Sequence, residues 1–184
     1  MGEYMIYAFL AKGFEEVEAI ATIDVIKRAE IDICTVGIGS KIVCGAHNIP
    51  VFCDYEENEV SLDNVDAVIL PGGMPGTLNL EKNKTVNSFI DFAFANNKLI
   101  AAICAAPSIL GHKGLLKGKQ ATAFPGFEEE LEGAAISDEY VVTDGNIITA
   151  RGMGAAIDFG LAIVSYFQGE KATLRLRNTL QCPK

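Results

Sequence analysis

The strongest constraint on the fold is the alternation of short apolar runs with segments of helical periodicity. The runs MIYAFLA (5–11), DAVILP (66–71) and LIAAIC (99–104) are nearly continuous in apolar residues, which is typical of strands buried on both faces. Helix-like segments separate them. Because a strand–helix–strand connection brings the two strands parallel, the alternation predicts an α/β fold with a mainly parallel sheet covered on both faces.

The segment 15–29 illustrates the helical pattern. Its apolar residues recur at the spacing of a stripe that faces the core. These residues are Val17, Ile20, Ala21 and Val25. The other predicted elements are strands at 31–38, 49–53 and 120–124, a hairpin at 140–150, and helices at 84–96, from Ala105, at 154–167 and around 170–180.

Length and charge exclude several classes of protein. The chain has 184 residues and a formal net charge of −9, so we expect one domain and no nucleic-acid or anionic-membrane partner. No apolar stretch approaches the roughly 18 residues of a membrane-spanning helix. The N-terminal segment lacks a basic leader and a cleavage site, so it does not resemble a signal peptide.

The cysteines predict a compartment rather than a disulfide framework. Their number is odd, at five, and none is spaced as CxxC. We therefore expect free thiols in a reducing cytoplasm. With two histidines and scattered cysteines, no metal site is expected. The cysteines are Cys34, Cys44, Cys53, Cys104 and Cys182.

Three segments follow predicted strands directly: AKGFEEVE (11–18), PGGMPG (71–76) and CAAP (104–107). In open parallel sheets, ligands bind outside the carboxyl ends of the strands. The three segments are therefore predicted to meet at one site that contains Cys104.

Cys104 lies where a strand passes into a helix. The small neighbours Ala102, Ala105 and Ala106 suit a tight turn like the G-x-S-x-G nucleophile elbow, and Pro107 suits a first helical turn. The helix N-terminus is expected to lower the pKa of the thiol. The alternative is a buried, inert cysteine, which is the commoner role of this residue type.

The PGGMPG loop can bring main-chain N–H groups close to a ligand. No GK[ST] follows it, so it does not match a phosphate-binding loop. We predict that the amides of Gly73 and Ala105 form an oxyanion hole beside the sulfur. The alternative is a plain turn.

The helix start GFEEVE carries three acidic residues. Glu15 and Glu16 are explained by the helix dipole. Glu18 lies one turn deeper, where a carboxyl group beside a thiol would have a raised pKa and could transfer protons.

Neither histidine fits a Cys–His pair. His112 lies eight residues after Cys104, about 12 Å along the predicted helix, and His47 is expected to be a solvated loop residue. GIGSK (37–41) has GxG but lacks the third glycine of a dinucleotide-binding loop. No cofactor is therefore predicted.

The motifs together resemble the ThiJ/PfpI superfamily, and within it the branch of the parkinsonism-associated protein deglycase and its bacterial relatives. The resemblance covers nearly the whole chain. It is carried by LAKGFEEVEA (10–19), VILPGGMPG (68–76), AAICAAP (101–107), GKQATAFPG (118–126) and TARGMGAAIDFGLAIV (149–164).

The resemblance implies a flavodoxin-like, class I glutamine amidotransferase-like three-layer sandwich, with residues 1–184 as a single ThiJ/PfpI-like domain. It also implies a homodimer. It assigns the nucleophile to Cys104, the acid partner to Glu18 and the oxyanion amides to Gly73 and Ala105.

Three residues depart from the family pattern. Phe124 stands where some members have a histidine near the cysteine, and Ala105 stands where the protease-like branch has one. Both departures argue against peptidase activity. Met153 replaces the proline of the usual RGPG motif, which leaves the local dimer contact open.

The leading functional hypothesis is a cofactor-free cysteine enzyme, of deglycase or glyoxalase type, that acts on small reactive dicarbonyls or their adducts and serves in carbonyl or oxidative stress. The alternative is a redox-sensing or chaperone-like protein in which Cys104 oxidises to a sulfinate. A role in thiamine-precursor synthesis is a weaker third hypothesis, because no thiazole phosphate site is visible.

Overall fold

A computed structural model describes residues 4–182. Strands and helices alternate along the chain as the apolar pattern predicts. The strands are β1 (Met5–Leu10), β2 (Asp32–Gly37), β3 (Ile42–Cys44), β4 (Pro50–Phe52), β5 (Tyr55–Glu56), β6 (Ala67–Leu70), β7 (Leu99–Ile103), β8 (Gln120–Ala121), β9 (Ala135–Ile136), β10 (Val141–Asp144) and β11 (Ile147–Ala150). The helices are α1 (Glu16–Arg28), α2 (Gly76–Lys82), α3 (Lys84–Ala95), α4 (Pro107–His112), α5 (Ala156–Gln168) and α6 (Glu170–Thr179).

The main sheet in the described part of the chain has seven strands in the order β10-β11-β7-β6-β1-β2-β5. All neighbours in this sheet are parallel except β10 and β11, which form the predicted hairpin. The chain runs outward from β1 in both directions, so the strand order reverses between β1 and β6. Such a reversal opens a crevice at the carboxyl ends of the strands.

The sheet is covered on both faces, which confirms the predicted three-layer α/β fold. Alternation along β1 shows the arrangement, because successive side chains of a strand point to opposite faces. Ile6 and Ala8 pack in a core with residues of α1 and α5. Tyr7 and Phe9 pack in the opposite core with residues of α2, α3 and α4.

One detail of the predicted core is wrong. Val17 and Ile20, expected in the buried stripe of α1, are 46% and 42% exposed. Ala19, Thr22 and Ile26 are buried instead. The helix is rotated from the predicted orientation because the carboxyl groups of its first turn point into the protein.

Several short elements were not predicted, namely α2, β3, β5 and β9. The predicted strand at 120–124 is shorter, since β8 ends at Ala121. Among residues 4–182, no helix is both long enough and apolar enough to cross a membrane.

Candidate active site

Cys104 follows β7 directly and forms the predicted elbow. Its φ of 66° lies in the left-handed region, which is uncommon for a residue other than glycine. Hydrogen bonds hold this backbone in place: the Cys104 N–H donates to the Ala150 carbonyl at 2.8 Å, and its carbonyl accepts from the Phe124 N–H at 2.9 Å. A non-glycine residue persists in this conformation only where its surroundings enforce it, often at a functional site.

The PGGMPG loop packs so closely against its neighbours that side chains are excluded. A Cβ atom on Gly73, whose φ is 90°, would lie 2.3 Å from the Glu15 nitrogen. A Cβ atom on Gly72 would lie 2.5 Å from the Cys104 Cβ and 2.7 Å from Glu18 Oε2. The two glycines therefore allow the loop, the elbow and α1 to meet.

Glu18 is buried at this meeting point, with 1% of its surface exposed. Its Oε2 accepts a hydrogen bond from the Gly72 N–H at 3.0 Å. The carboxyl group also accepts from the Met153 N–H and hydrogen-bonds the Cys104 side chain. The structure thus brings the predicted acid into contact with the predicted nucleophile.

Burial changes the acidity of both groups. It raises the pKa of Glu18 to about 7. Burial and the adjacent Glu18 raise the pKa of the Cys104 thiol to about 12. The expectation of a lowered thiol pKa is therefore wrong, because desolvation and a neighbouring carboxylate outweigh the N-terminus of the short helix α4.

The predicted oxyanion amides lie beside the sulfur. Hydrogen bonds from the main-chain N–H groups of Gly73 and Ala105 oppose the rise in the Cys104 pKa. Such N–H groups stabilise negative charge on sulfur, or on an oxygen that forms next to it. The structure thus places Cys104, Glu18, Gly73 and Ala105 together; their catalytic roles stay predictions.

The other two acids of the helix start have structural partners. Glu15 accepts from the Glu18 N–H at 2.7 Å and so caps α1. Glu16 is buried, which the dipole explanation did not predict, and accepts from the His47 N–H at 2.7 Å. His47 is exposed as expected, and its Nδ1 lies 2.9 Å from Glu16.

Glu15, Glu16 and His47 form the one group of potential metal ligands in residues 4–182, with ligand atoms within 4.8 Å of one another. Hydrogen bonds already engage both carboxylates. Cys34 and Cys53 lie in the core, where burial raises the thiol pKa to about 12 and about 11. Such thiols are inert at neutral pH.

Sequence reasoning missed a cleft next to Glu18. It has a volume of about 370 Å³, and Phe124, Tyr140, Arg151 and Met153 contribute side chains to its wall. Two of these residues, Phe124 and Met153, are departures from the family pattern. The sequence marks these two positions as unusual, but an unusual residue does not by itself predict a cavity.

The fold and this geometry define a flavodoxin-like α/β protein with a cysteine on a strand-to-helix elbow and a buried carboxyl partner. The sequence profile of the DJ-1/PfpI family matches residues 5–166. The chain therefore belongs to the DJ-1/PfpI family, which confirms the resemblance to the ThiJ/PfpI superfamily.

Characterised relatives agree with this membership. The chain is 35% identical over 165 residues to the Drosophila melanogaster protein dj-1beta, covering 88% of each. It is 36% identical over 169 residues to Protein DJ-1 homolog B of Arabidopsis thaliana, covering 91% of this chain but 39% of that longer protein. It is 31% identical over 144 residues to a deglycase from Pyrococcus abyssi, covering 77% of this chain and 86% of that protein.

Solved structures show the same fold. A DJ-1 superfamily protein of Salmonella typhimurium superposes with a TM-score of 0.93 at 34% identity, over 98% of this chain and all of the other. Drosophila melanogaster DJ-1beta superposes with a TM-score of 0.93 at 31% identity over the full length of both chains. Oxidised Toxoplasma gondii DJ-1 also has a TM-score of 0.93, at 27% identity over 97% of this chain and 98% of that one.

Proposed function

We propose that the protein is a cofactor-free cysteine enzyme that converts small reactive dicarbonyls, or their adducts with amines and thiols, to 2-hydroxy acids. The observation that carries this proposal is the contact of the Cys104 thiol with the buried Glu18 carboxyl group, next to the amides of Gly73 and Ala105. One relative is named a deglycase. A role in carbonyl or oxidative stress is consistent with such chemistry.

The first step is attack by sulfur on the aldehyde carbon of an α-oxoaldehyde. As the S–C bond forms, the Glu18 carboxylate takes the thiol proton, and the amides of Gly73 and Ala105 stabilise the oxygen that gains charge. Glu18 then gives this proton to the oxygen, which yields a hemithioacetal and restores the carboxylate. A preformed thiolate is not needed, because a carboxyl group with a pKa of about 7 is partly ionised at neutral pH.

The second step transfers hydrogen within the adduct. Glu18 removes the proton from the former aldehyde carbon and returns a proton to the neighbouring carbon through an enediol. The aldehyde carbon is thereby oxidised to a thioester while the ketone is reduced to an alcohol, so no external redox agent is required. Water then hydrolyses the thioester, which releases the 2-hydroxy acid and restores the Cys104 thiol.

The proposal is tested by methylglyoxal consumption and lactate formation. We expect Cys104→Ser to lower the rate at least about 100-fold, because it removes the nucleophile. Cys182→Ser, which changes a half-buried cysteine outside the site, should keep the wild-type rate. Equal rates in wild type and Cys104→Ser would overturn the proposal.

Redox sensing is a second candidate, favoured by the solved structure of an oxidised relative. Two equivalents of hydrogen peroxide would convert the Cys104 thiol to a sulfinic acid with release of two waters. A protonated Glu18 could donate a hydrogen bond to the product. A mass gain of two oxygens at Cys104, without dicarbonyl turnover, would favour this function over catalysis.

We also propose a homodimer in the cytoplasm. The five cysteines are free thiols, as in a reducing compartment. Helices α1 and α5 pack against each other and expose apolar side chains that include Ile20 and Ile157, as interfaces do. Sedimentation should show a dimer that Ile20→Glu dissociates, whereas Leu174→Glu on the exposed face of α6 should leave it intact.

A further inference from the structure

The cleft adjoins the proposed catalytic groups, because two residues of its wall are hydrogen-bonded to them: Phe124 to Cys104 and Met153 to Glu18. The Phe124 N–H donates to the Cys104 carbonyl at 2.9 Å, so the residue that carries the phenyl ring itself contacts the main chain of the nucleophile. Opposite the ring, a Cβ atom on Gly152 would lie 3.2 Å from the Phe124 ring and 3.7 Å from Glu18 Oε1. Gly152 therefore lies between Glu18 and the Phe124 ring, and its missing side chain keeps the cleft wall close to the proposed catalytic groups.

The side chains of this cleft share a preference for aromatic ligands. Phe124 and Tyr140 expose 48% and 66% of their surface, and exposed rings stack on or pack edge-to-face with other rings. Met153, 55% exposed, offers a thioether that makes favourable contacts with ring edges. The Arg151 guanidinium lies 5.7 Å from the Tyr140 ring centre, within the range of cation–π contacts.

The cleft is large enough for such a group. An engineered apolar cavity of about 150 Å³ is known to hold benzene, and this cleft measures about 370 Å³. A methyl group, as in methylglyoxal, would leave the two rings in contact with water.

We propose that the cleft binds an aromatic substituent of the substrate, so that the enzyme prefers aryl-substituted α-oxoaldehydes to methylglyoxal. This inference rests on the proposed function, because it places the dicarbonyl at Cys104. Phe124 and Tyr140 are then specificity-determining residues that contact the part of the substrate that does not react.

Alkylation of Cys104 tests the cleft without turnover. Phenacyl bromide and bromoacetone are both α-bromoketones; in each case sulfur bonds to the methylene carbon, bromide leaves, and the thiol proton passes to Glu18. Each rate is divided by the reagent's rate with 2-mercaptoethanol to remove intrinsic reactivity. We expect wild type to prefer phenacyl bromide about tenfold after this correction, from burial of one ring.

Phe124→Ala should reduce that preference to about twofold or less, since it removes the ring that faces Gly152. Phe94→Ala provides a matched control, because Phe94 lies on α3 with a similar exposure of 41%, and it should keep the wild-type preference. No preference in wild type, an unchanged preference in Phe124→Ala, or no alkylation of Cys104 by either reagent would overturn the inference. If a second copy of the chain filled the cleft, wild type would show no preference for phenacyl bromide.

Turnover of phenylglyoxal and methylglyoxal separates this inference from the proposed function. Faster turnover of phenylglyoxal, with a kcat/KM ratio that falls about fivefold or more in Phe124→Ala, would support both. Selective alkylation with no turnover of either dicarbonyl would support binding of aromatic groups in the cleft and overturn the proposed function. Turnover of both dicarbonyls without a preference for phenylglyoxal would support the proposed function and overturn the proposal that the cleft binds an aromatic substituent.

Discussion

The two edges of the main sheet each carry a cavity, yet they differ in what the acidic groups beside the cavity do. At the amino ends of the strands, a cavity of about 540 Å³ is lined by Asp66 and Lys98. Lys98 Nζ lies 2.8 Å from Asp66 Oδ1, and Asp66 Oδ2 accepts from the Met5 N–H at 3.0 Å. This ion pair and hydrogen bond connect the beginnings of adjacent strands.

At the carboxyl ends, the smaller cleft adjoins two acids that compete for protons, the buried Glu18 and the half-buried Cys104. Glu18 and Cys104 both have a raised pKa, and both are hydrogen-bonded to main-chain amides. A carboxyl group with a pKa near neutrality next to a nucleophile can transfer protons during a reaction. The comparison teaches that a buried carboxyl group of raised pKa beside a nucleophile, rather than cavity volume, distinguishes the candidate site from the larger cavity.

The largest expected effect is on turnover. Glu18→Gln should lower the rate of dicarbonyl loss about 100-fold or more, because it removes the group that takes the thiol proton and moves the carbon-bound proton. Asp66→Asn at the opposite edge should change the rate less than about twofold, since Asp66 only joins strands. A comparable loss in both variants, measured by dicarbonyl consumption, would contradict the distinction between the edges.

The same Glu18→Gln variant should gain stability at high pH. The folded-state pKa of Glu18 is raised from 4.5 to about 7, so its stabilising contribution is complete below pH 4.5 and is lost as the pH rises through 7. We expect the variant to exceed wild type by on the order of 2 to 3 kcal/mol at about pH 8, and to match it at about pH 4. Urea unfolding at the two pH values measures this, and a less stable variant at the higher pH would contradict it.

At the amino edge, Asp66→Asn should lower the free energy of unfolding by about 1 kcal/mol. The change removes the ion pair with Lys98 and weakens the hydrogen bond to the Met5 N–H. Asp24→Asn provides the control, because the Asp24–Arg28 pair on α1 is more than half exposed on both sides, and it should cost less than about 0.5 kcal/mol. Equal losses of unfolding free energy in the two variants would show that the Asp66 contacts stabilise the fold no more than an exposed ion pair does.

The smallest effect concerns His112, which lies on the outer side of α4. Its Nδ1 and Nε2 lie 2.5 Å from Glu81 and 2.7 Å from Glu130, and these carboxylates raise its pKa. The stabilisation should be complete below the unfolded pKa of 6.5 and be lost as the pH rises through the higher folded value. Because the side chain is 36% exposed, we expect His112→Gln to cost only about 0.5 kcal/mol at about pH 6.

The loss caused by His112→Gln should disappear at about pH 9, where imidazole no longer donates from both nitrogens. Urea unfolding of wild type and variant at the two pH values gives the comparison. A loss of stability that grows with pH would show that His112 stabilises the fold by packing and not by its ion pairs with Glu81 and Glu130.

Much of the fold could be predicted because the buried strands are continuous apolar runs. The run 99–104 was matched by β7 and its elbow, and 66–71 by β6 and its glycine loop. The orientation of α1 could not be predicted. Helical spacing fits Val17 and Ile20 as well as Ala19 and Thr22, and only the tertiary position of Glu18 selects between them.

The site residues could be predicted as a set, since all of them follow parallel strands that end at the same edge. Their acidity could not. The thiol pKa depends on how deeply Cys104 is buried and how near Glu18 lies, and neither quantity is encoded in the local sequence. The cleft around Phe124 and Tyr140 was missed for a similar reason, because these residues are distant in sequence and belong to loops.

The central claim is that the Glu18 carboxylate takes the proton of the Cys104 thiol. The most direct test is the pH dependence of Cys104 alkylation in wild type and Glu18→Gln. We predict a wild-type rate that rises with a midpoint near pH 7, the pKa of Glu18, and a Glu18→Gln rate without that midpoint that rises only at markedly higher pH. The same midpoint near pH 7 in both proteins would contradict the claim.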